Sequence, residues 1–146
     1  MLTPPPRDHA QSVLPHDHDG IARDDGVIRR ISPHHVVDDP KVGGKKVSTM
    51  AFVPSSEVNG GLSVDLQREI EDSGLIALEY VSKPPWLGSV RFTAGTLRDE
   101  GFLVGYDPIP GNPHHGEVWG NFTRGKQRQL LRLATWFAAM DGVTLA

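Results

Sequence analysis

An α+β fold is what the order of elements in this 146-residue chain predicts. Three observations carry that expectation. Short apolar runs with two-residue alternation recur between Gly26 and Trp119, each bounded by Pro or Gly. Stretches with three- and four-residue apolar spacing fall among them without regular strand-helix alternation, which disfavours a doubly wound sheet. The longest helical stripe comes last. The expected architecture is one small domain over 26–146, with a mixed or antiparallel sheet packed by a C-terminal amphipathic helix. A disordered N-terminal tail is expected over 1–25.

The tail expectation rests on Pro4-Pro5-Pro6, which favours extended polyproline conformation, and on a following mixture of Asp, His, Arg and Gln with isolated apolar residues. Its His16-Asp17-His18-Asp19 run alternates two metal-ligand types but reads first as a solvated patch. Val27 to Ile31 reads as a strand stopped by Pro33, with Val27, Arg29 and Ile31 on one face and Ile28 and Arg30 on the other. Gly43-Gly44-Lys45-Lys46 reads as a turn. Val47 to Val53 reads as a second strand, ended by Pro54. Ser63 is placed to cap a helix over 64–73, with Leu66 and Ile70 as its stripe and Gly74 as its stop. Lys83-Pro84-Pro85-Trp86-Leu87-Gly88 is a break before a strand at 89–93. Two helical turns at 94–100 lead to a strand at 102–106. A stiff loop with three prolines spans 107–113, and 115–119 is a short strand. The final helix is expected over 126–139, from the recurrence of Leu130, Leu133, Ala134, Phe137 and Met140.

Composition excludes several classes. With no cysteine, disulfides and thiolate chemistry are absent, which fits a reduced compartment. A formal net charge of -3 gives no whole-protein basic footprint, so nucleic acid is disfavoured as a partner. No apolar run approaches the roughly 20 residues needed to cross a bilayer, and no secretory h-region stands at the start. A cytoplasmic protein is the resulting expectation.

The chemistry-bearing residues gather at strand ends and proline-stiffened loops. Pro-His-His occurs twice, as Pro33-His34-His35 and Pro113-His114-His115. Adjacent side chains on an extended chain point to opposite faces, so at most one His of each pair can serve a common site. Asp38, Asp39, Asp107 or Glu117 would have to complete a metal set. No H-x-x-x-H spacing exists, and no metal ligand set is assigned. Arg29 or Arg30, beside Val and Ile on the first strand, needs a partner, since an unpaired buried charge is costly. That partner is either a protein carboxylate, with Asp38, Asp39, Asp99 and Asp107 available, or an anionic ligand gripped by the guanidinium fork. Arg124-Gly125-Lys126-Gln127-Arg128 at the start of the last helix is a second anion candidate, read first as basic side chains reaching water. The predicted ligand site combines Arg29 or Arg30, Ser48, Arg98 and His115, with Asp107 orienting one of the cations.

Ile28-Arg29-Arg30-Ile31-Ser32-Pro33, Ser48 through Phe52, Leu62-Ser63-Val64-Asp65, Leu97-Arg98, Val104 to Pro108, and Asn112-Pro113 with His115 and Gly120 together resemble a family of small uncharacterised bacterial proteins. The resemblance covers most of 26–140. A small residue precedes the family His, and His114 holds that place here, so His115 is the matching histidine. No activity is implied. A looser similarity, to ADP-ribosyltransferase-like domains, rests on Arg29 or Arg30 in an early strand and Ser48-Thr49 in a later one. It implies NAD as ligand, with Glu117 or His115 as a third group. The expected function is an accessory or binding module for an anionic small molecule or a partner protein. The alternatives are an NAD-dependent ADP-ribosyltransferase-like enzyme and a His-based metal hydrolase.

Overall fold

Val27, Ile28 and Ile31 are fully buried, and a strand buried on both faces belongs in the middle of a sheet. The computed structural model, which describes residues 2–54 and 60–145, places them there. The strand β1 (Gly26–Ile31) lies between β4 (Leu62–Leu66) and β5 (Gly88–Thr93) in a six-stranded antiparallel sheet. The outer strands are β7 (His115–Trp119) and β6 (Leu103–Tyr106) on one side and β8 (Thr135–Ala138) on the other, in the order β6-β7-β4-β1-β5-β8. A second sheet of three strands joins β2 (Val36–Asp38), β3 (Lys45–Val47) and β9 (Val143–Thr144). The helices are α1 (Gln67–Asp72), α2 (Ala77–Val81), α3 (Ala94–Asp99) and α4 (Arg124–Leu133). The α+β class is therefore as the element order predicts. Among the described residues no helix is long and apolar enough to cross a membrane.

Residues opposite one another in an antiparallel ladder share a face. Val27 opposite both Leu66 and Phe92 starts the main core, which continues through Ile31, Val64, Val90, Val104 and Val118. Leu130 of α4 and Leu97 of α3 close over it. Ile28, on the other face, packs with Ile70, Ala77 and Val81 of α1 and α2 in a smaller cluster. At roughly 1.5–3 kcal/mol per fully buried aliphatic side chain, the main core is the chief stabilising element.

One feature of pairing positions the site. β1 pairs with β5 along its whole length, from Gly26 opposite Thr93 to Ile31 opposite Gly88. With β4 it pairs only at Val27–Leu66 and Ile28–Asp65. Beyond Ile28 the two strands part, and the ladder groups of Arg29 to Ile31 and of Leu62 to Val64 face a gap.

Three of the expected elements differ. Residues 47–53 are not one strand: Ser48 Oγ accepts the Met50 N–H at 3.1 Å and closes a 3-10 turn over Thr49–Phe52. The turn buries Ala51 and Phe52 while leaving Met50 exposed. The expected helix over 64–73 is split. Leu62, Val64 and Leu66 alternate as a strand, Ser63 caps nothing, and the helix begins at Gln67. Its stop is as read, with Gly74 at φ 82° just past the C-cap Ser73. The last helix starts at Arg124, capped by Thr123 Oγ1 on the Lys126 N–H, and ends at Leu133 rather than 139. Thr135-Trp136-Phe137, β-branched then aromatic, leaves the helix to pair with β5 as β8. The helix α2 was not anticipated.

Residues 2–25 carry little secondary structure, as their composition predicts, yet they lie bound to the sheet rather than as a disordered tail. Val13 and Ile21 are buried. Asp17 Oδ1 accepts the Val104 N–H at 2.9 Å, His18 N donates to Val104 O at 2.9 Å, and Tyr106 N donates to His16 Nε2 at 3.1 Å. This segment is a strap along β6. Its apolar residues are few, and it is His16, Asp17 and His18 that meet the backbone groups the edge strand leaves unpaired.

Candidate functional site

The gap between β1 and β4 opens into a cavity of about 670 Å³. Arg29, Arg30, Ser63 and Asp65 form its floor, and the 3-10 turn Pro33–His35 gives one wall. Ile109, Asn112 and His115 give the opposite wall, and Met50, Val53 and Trp86 edge it. Both Pro-His-His islands thus reach one hollow, although they lie far apart in the chain.

The two arginines sit on opposite sides of β1 and are satisfied differently. The Arg30 guanidinium makes a bidentate pair with Asp65, Nε to Oδ2 at 2.8 Å and Nη2 to Oδ1 at 3.0 Å, and lies 5.7 Å from the Tyr80 ring centre. Asp65 also accepts from Asn112 Nδ2 at 3.0 Å, and Asn112 Oδ1 accepts from Tyr80 Oη at 2.6 Å. This closed network ties the second island to β1.

Arg29 is only 9% exposed. Its Nε donates to Ala51 O at 2.9 Å and its Nη1 to Ser63 O at 3.0 Å, so it takes the place of the ladder partner that β4 lost. No carboxylate among the described residues lies within ion-pair distance of it. Burial pushes its pKa down to about 10, with the charges of Glu117 and Asp65 acting the other way, so it remains a cation at neutral pH.

His35 Nδ1 accepts the Ser32 N–H at 3.2 Å, which leaves the proton of the neutral ring on Nε2. Burial first, then the positive charges of Arg29 and His34, lower its pKa to about 4. It is a neutral N–H donor at pH 7, with Trp86 tilted beside it at 6.4 Å between ring centres. On the far wall, His115 Nδ1 is 2.8 Å from the Asp107 carbonyl oxygen and 3.4 Å from Asp107 Oδ2. Its Nε2 lies 3.9 Å from Glu117 Oε1. Burial alone would lower the His115 pKa. Hydrogen bonds to Asp107 and the charges of Glu117 and Asp107 outweigh it, and the net shift is upward. Burial raises the Glu117 carboxyl to about 7, with His115 opposing and Asp107 adding to the rise.

Arg29, Arg30 and His115 of the predicted set line one cavity, and Asp107 lies against His115, its carbonyl oxygen 2.8 Å from Nδ1. Two predicted members are elsewhere. Ser48 does not line the cavity, because its hydroxyl is used as the cap of the Thr49–Phe52 turn. Arg98 holds the strap, donating to Asp17 Oδ1 at 2.9 Å and to the carbonyls of Ile21 and His18 at 2.8 and 3.1 Å. The carboxylate paired with Arg30 is Asp65, not any of the four aspartates considered. The basic start of α4 is also internally used: Thr123 caps it, and Lys126 Nζ donates to Glu100 O at 2.7 Å. Trp119 is 4% exposed and offers no stacking surface for a base.

Sequence reasoning missed His35, Trp86 and Asp65 as cavity residues. Asp65 was hidden by the helical reading of 64–73. Glu117, named from the sequence as a possible metal donor or third group, lies in a strand whose every residue is buried. A scan against protein-family models finds no match, and searches of curated proteins and of solved structures find none either.

Proposed function

We propose that this protein is a binding module for a small organic anion, held in the cleft between β1 and β4. The observation that supports this is Arg29, a buried guanidinium held by two neutral carbonyls at the floor of a cavity large enough for a nucleotide-sized ligand. A buried cation without a carboxylate is costly unless something negative shares its site. The His35 Nε2–H adds a neutral donor on the adjoining wall. The edge is apolar: Met50 is 60% exposed, and Val53, Ile109 and Trp86 stand beside it. A ligand with a phosphate or carboxylate at one end and an aromatic or apolar body at the other matches that division.

The test is a thermal-shift panel of inorganic phosphate, phenyl phosphate, AMP and NAD. A ligand at a hundred times its dissociation constant adds about 2.7 kcal/mol of stability. Phenyl phosphate or a nucleotide is expected to stabilise more than phosphate alone, and Trp86→Ala to narrow that difference. Arg29→Lys, which keeps the charge but not the fork, is expected to weaken every anion. Equal, small shifts for all four compounds, unchanged in Arg29→Lys, would reject the reading.

Turnover of the bound anion is a second reading, favoured by one observation: His115, oriented by Asp107, lines the same cavity. An NAD-consumption assay and a phosphatase assay, each with His115→Asn as control, test it. The ADP-ribosyl version lacks one of its expected groups, because Ser48 lies outside the cleft.

A further inference from the structure

We propose that Asp107, His115 and Glu117 form a binding site for a divalent transition-metal ion, zinc being the representative case, behind the His115 wall of the cleft. The site follows from strand pairing. His115 and Glu117 are two apart on β7 and so project to one face. Asp107 N donates to His115 O at 3.0 Å, which continues the β6–β7 pairing and sets Asp107 beside His115. One ligand atom from each of the three residues lies within 4.8 Å of the other two, and all three residues are buried.

The chemistry of the set fits. One imidazole and two carboxylates are donors that zinc takes at roughly 2.0–2.2 Å, and three protein ligands with an open fourth position is the pattern of reactive zinc sites. The His115 Nδ1 faces the Asp107 carbonyl at hydrogen-bond distance. With the proton on Nδ1, Nε2 presents its lone pair toward Glu117, the second-shell arrangement that holds a metal-binding imidazole in one tautomer.

A second, independent observation concerns Glu117 itself. Its side chain is 3% exposed, and although the Glu117 and Asp107 carboxyl groups meet, Oε2 has no hydrogen-bond partner among the described residues. Gly61 packs so closely against that oxygen that a Cβ there would run into it, so only glycine lets the chain pass beside this carboxylate. A buried carboxylate oxygen without a donor is costly unless a proton or a cation satisfies it.

The inference stands apart from the anion reading, since it uses the interior behind His115 and not the Arg29 floor. The experiment uses untagged full-length protein, stripped with chelator and dialysed. Cobalt(II) is titrated while the visible ligand-field bands are followed, and zinc(II) affinity is measured by competition and by calorimetry. One equivalent is expected to bind, with cobalt bands of a four- or five-coordinate ion. Glu117→Gln, which keeps the side-chain volume, and His115→Asn are each expected to weaken binding by about tenfold or more. His16→Ala, in the strap, is expected to leave it unchanged. Absence of stoichiometric uptake would overturn the proposal. So would uptake that Glu117→Gln leaves intact or that His16→Ala removes. The anion panel, repeated in the presence of chelator, reports on the cleft separately.

Discussion

The strap and the cleft are built from the same residue types and differ in how those residues are satisfied. In the strap, Asp17 takes hydrogen bonds from Arg98 and Val104, His16 faces Leu14 O and the Tyr106 amide, and His18 faces Thr3 O and the Gly20 amide. Each ring nitrogen has a protein partner. In the cleft, Arg29 has carbonyls but no carboxylate within ion-pair distance among the described residues, and His35, its Nδ1 taken by the Ser32 amide, lines the cavity; behind the His115 wall, Glu117 Oε2 finds no donor among the described residues. His, Asp and Arg in one place are therefore not the mark of a site. The mark is polar capacity left over after the fold has used what it needs.

The contrast can be broken at four points, taken in falling order of size. Asp65→Asn strips the carboxylate from Arg30 and loosens Asn112, so urea unfolding should show a loss of about 3 kcal/mol. Anion binding should fall with it, since the same network holds the cleft wall. Arg98→Ala removes three hydrogen bonds from the strap and should cost about 1–2 kcal/mol. Hydrogen exchange at Val104 and Tyr106 should quicken while anion binding is unchanged. If Arg98→Ala abolishes anion binding, the two regions are not separable and the comparison fails.

The remaining two points are pH effects of opposite sign. The His35 pKa is about 4 in the fold against 6.5 for the free side chain, so between these values the unfolded chain binds the proton more readily. Its contribution to stability is full above pH 6.5 and is lost as pH falls toward 4. His35→Asn should flatten that acid limb in a series of unfolding curves. Glu117 shifts upward, from 4.5 to about 7, so the native state holds a proton that the unfolded state has released. Its contribution is full below pH 4.5 and lost as pH rises through 7. In chelator-treated protein, Glu117→Gln should be more stable than the parent at pH 9 and no more stable at pH 4.

Much of this arrangement was legible along the chain because it rests on local signals. β1 alternates and stops at Pro33, and the Pro-His-His pairs mark stiff corners. Local signals also misled. The three- and four-residue spacing of Leu130 to Met140 continues through Thr135-Trp136-Phe137, although those residues pair as β8 along the edge of β5. Ser63-Val64-Asp65 resembles a helix start, but β4 is required there to reach β7. The cleft itself depends on where β1 and β4 part, after Ile28 and Asp65. That is a pairing between segments far apart in sequence, and no local periodicity encodes it.

What sets the cleft apart from the strap is that Arg29 is free to meet an external anion. The most direct measurement is NMR of the arginine Nε–Hε signals while phenyl phosphate or AMP is added to the full-length protein. A saturable shift of the Arg29 signal is expected, with a smaller change at Arg30 and none at Arg98. A titration that moves Arg98 or the α4 arginines and leaves Arg29 still would contradict it.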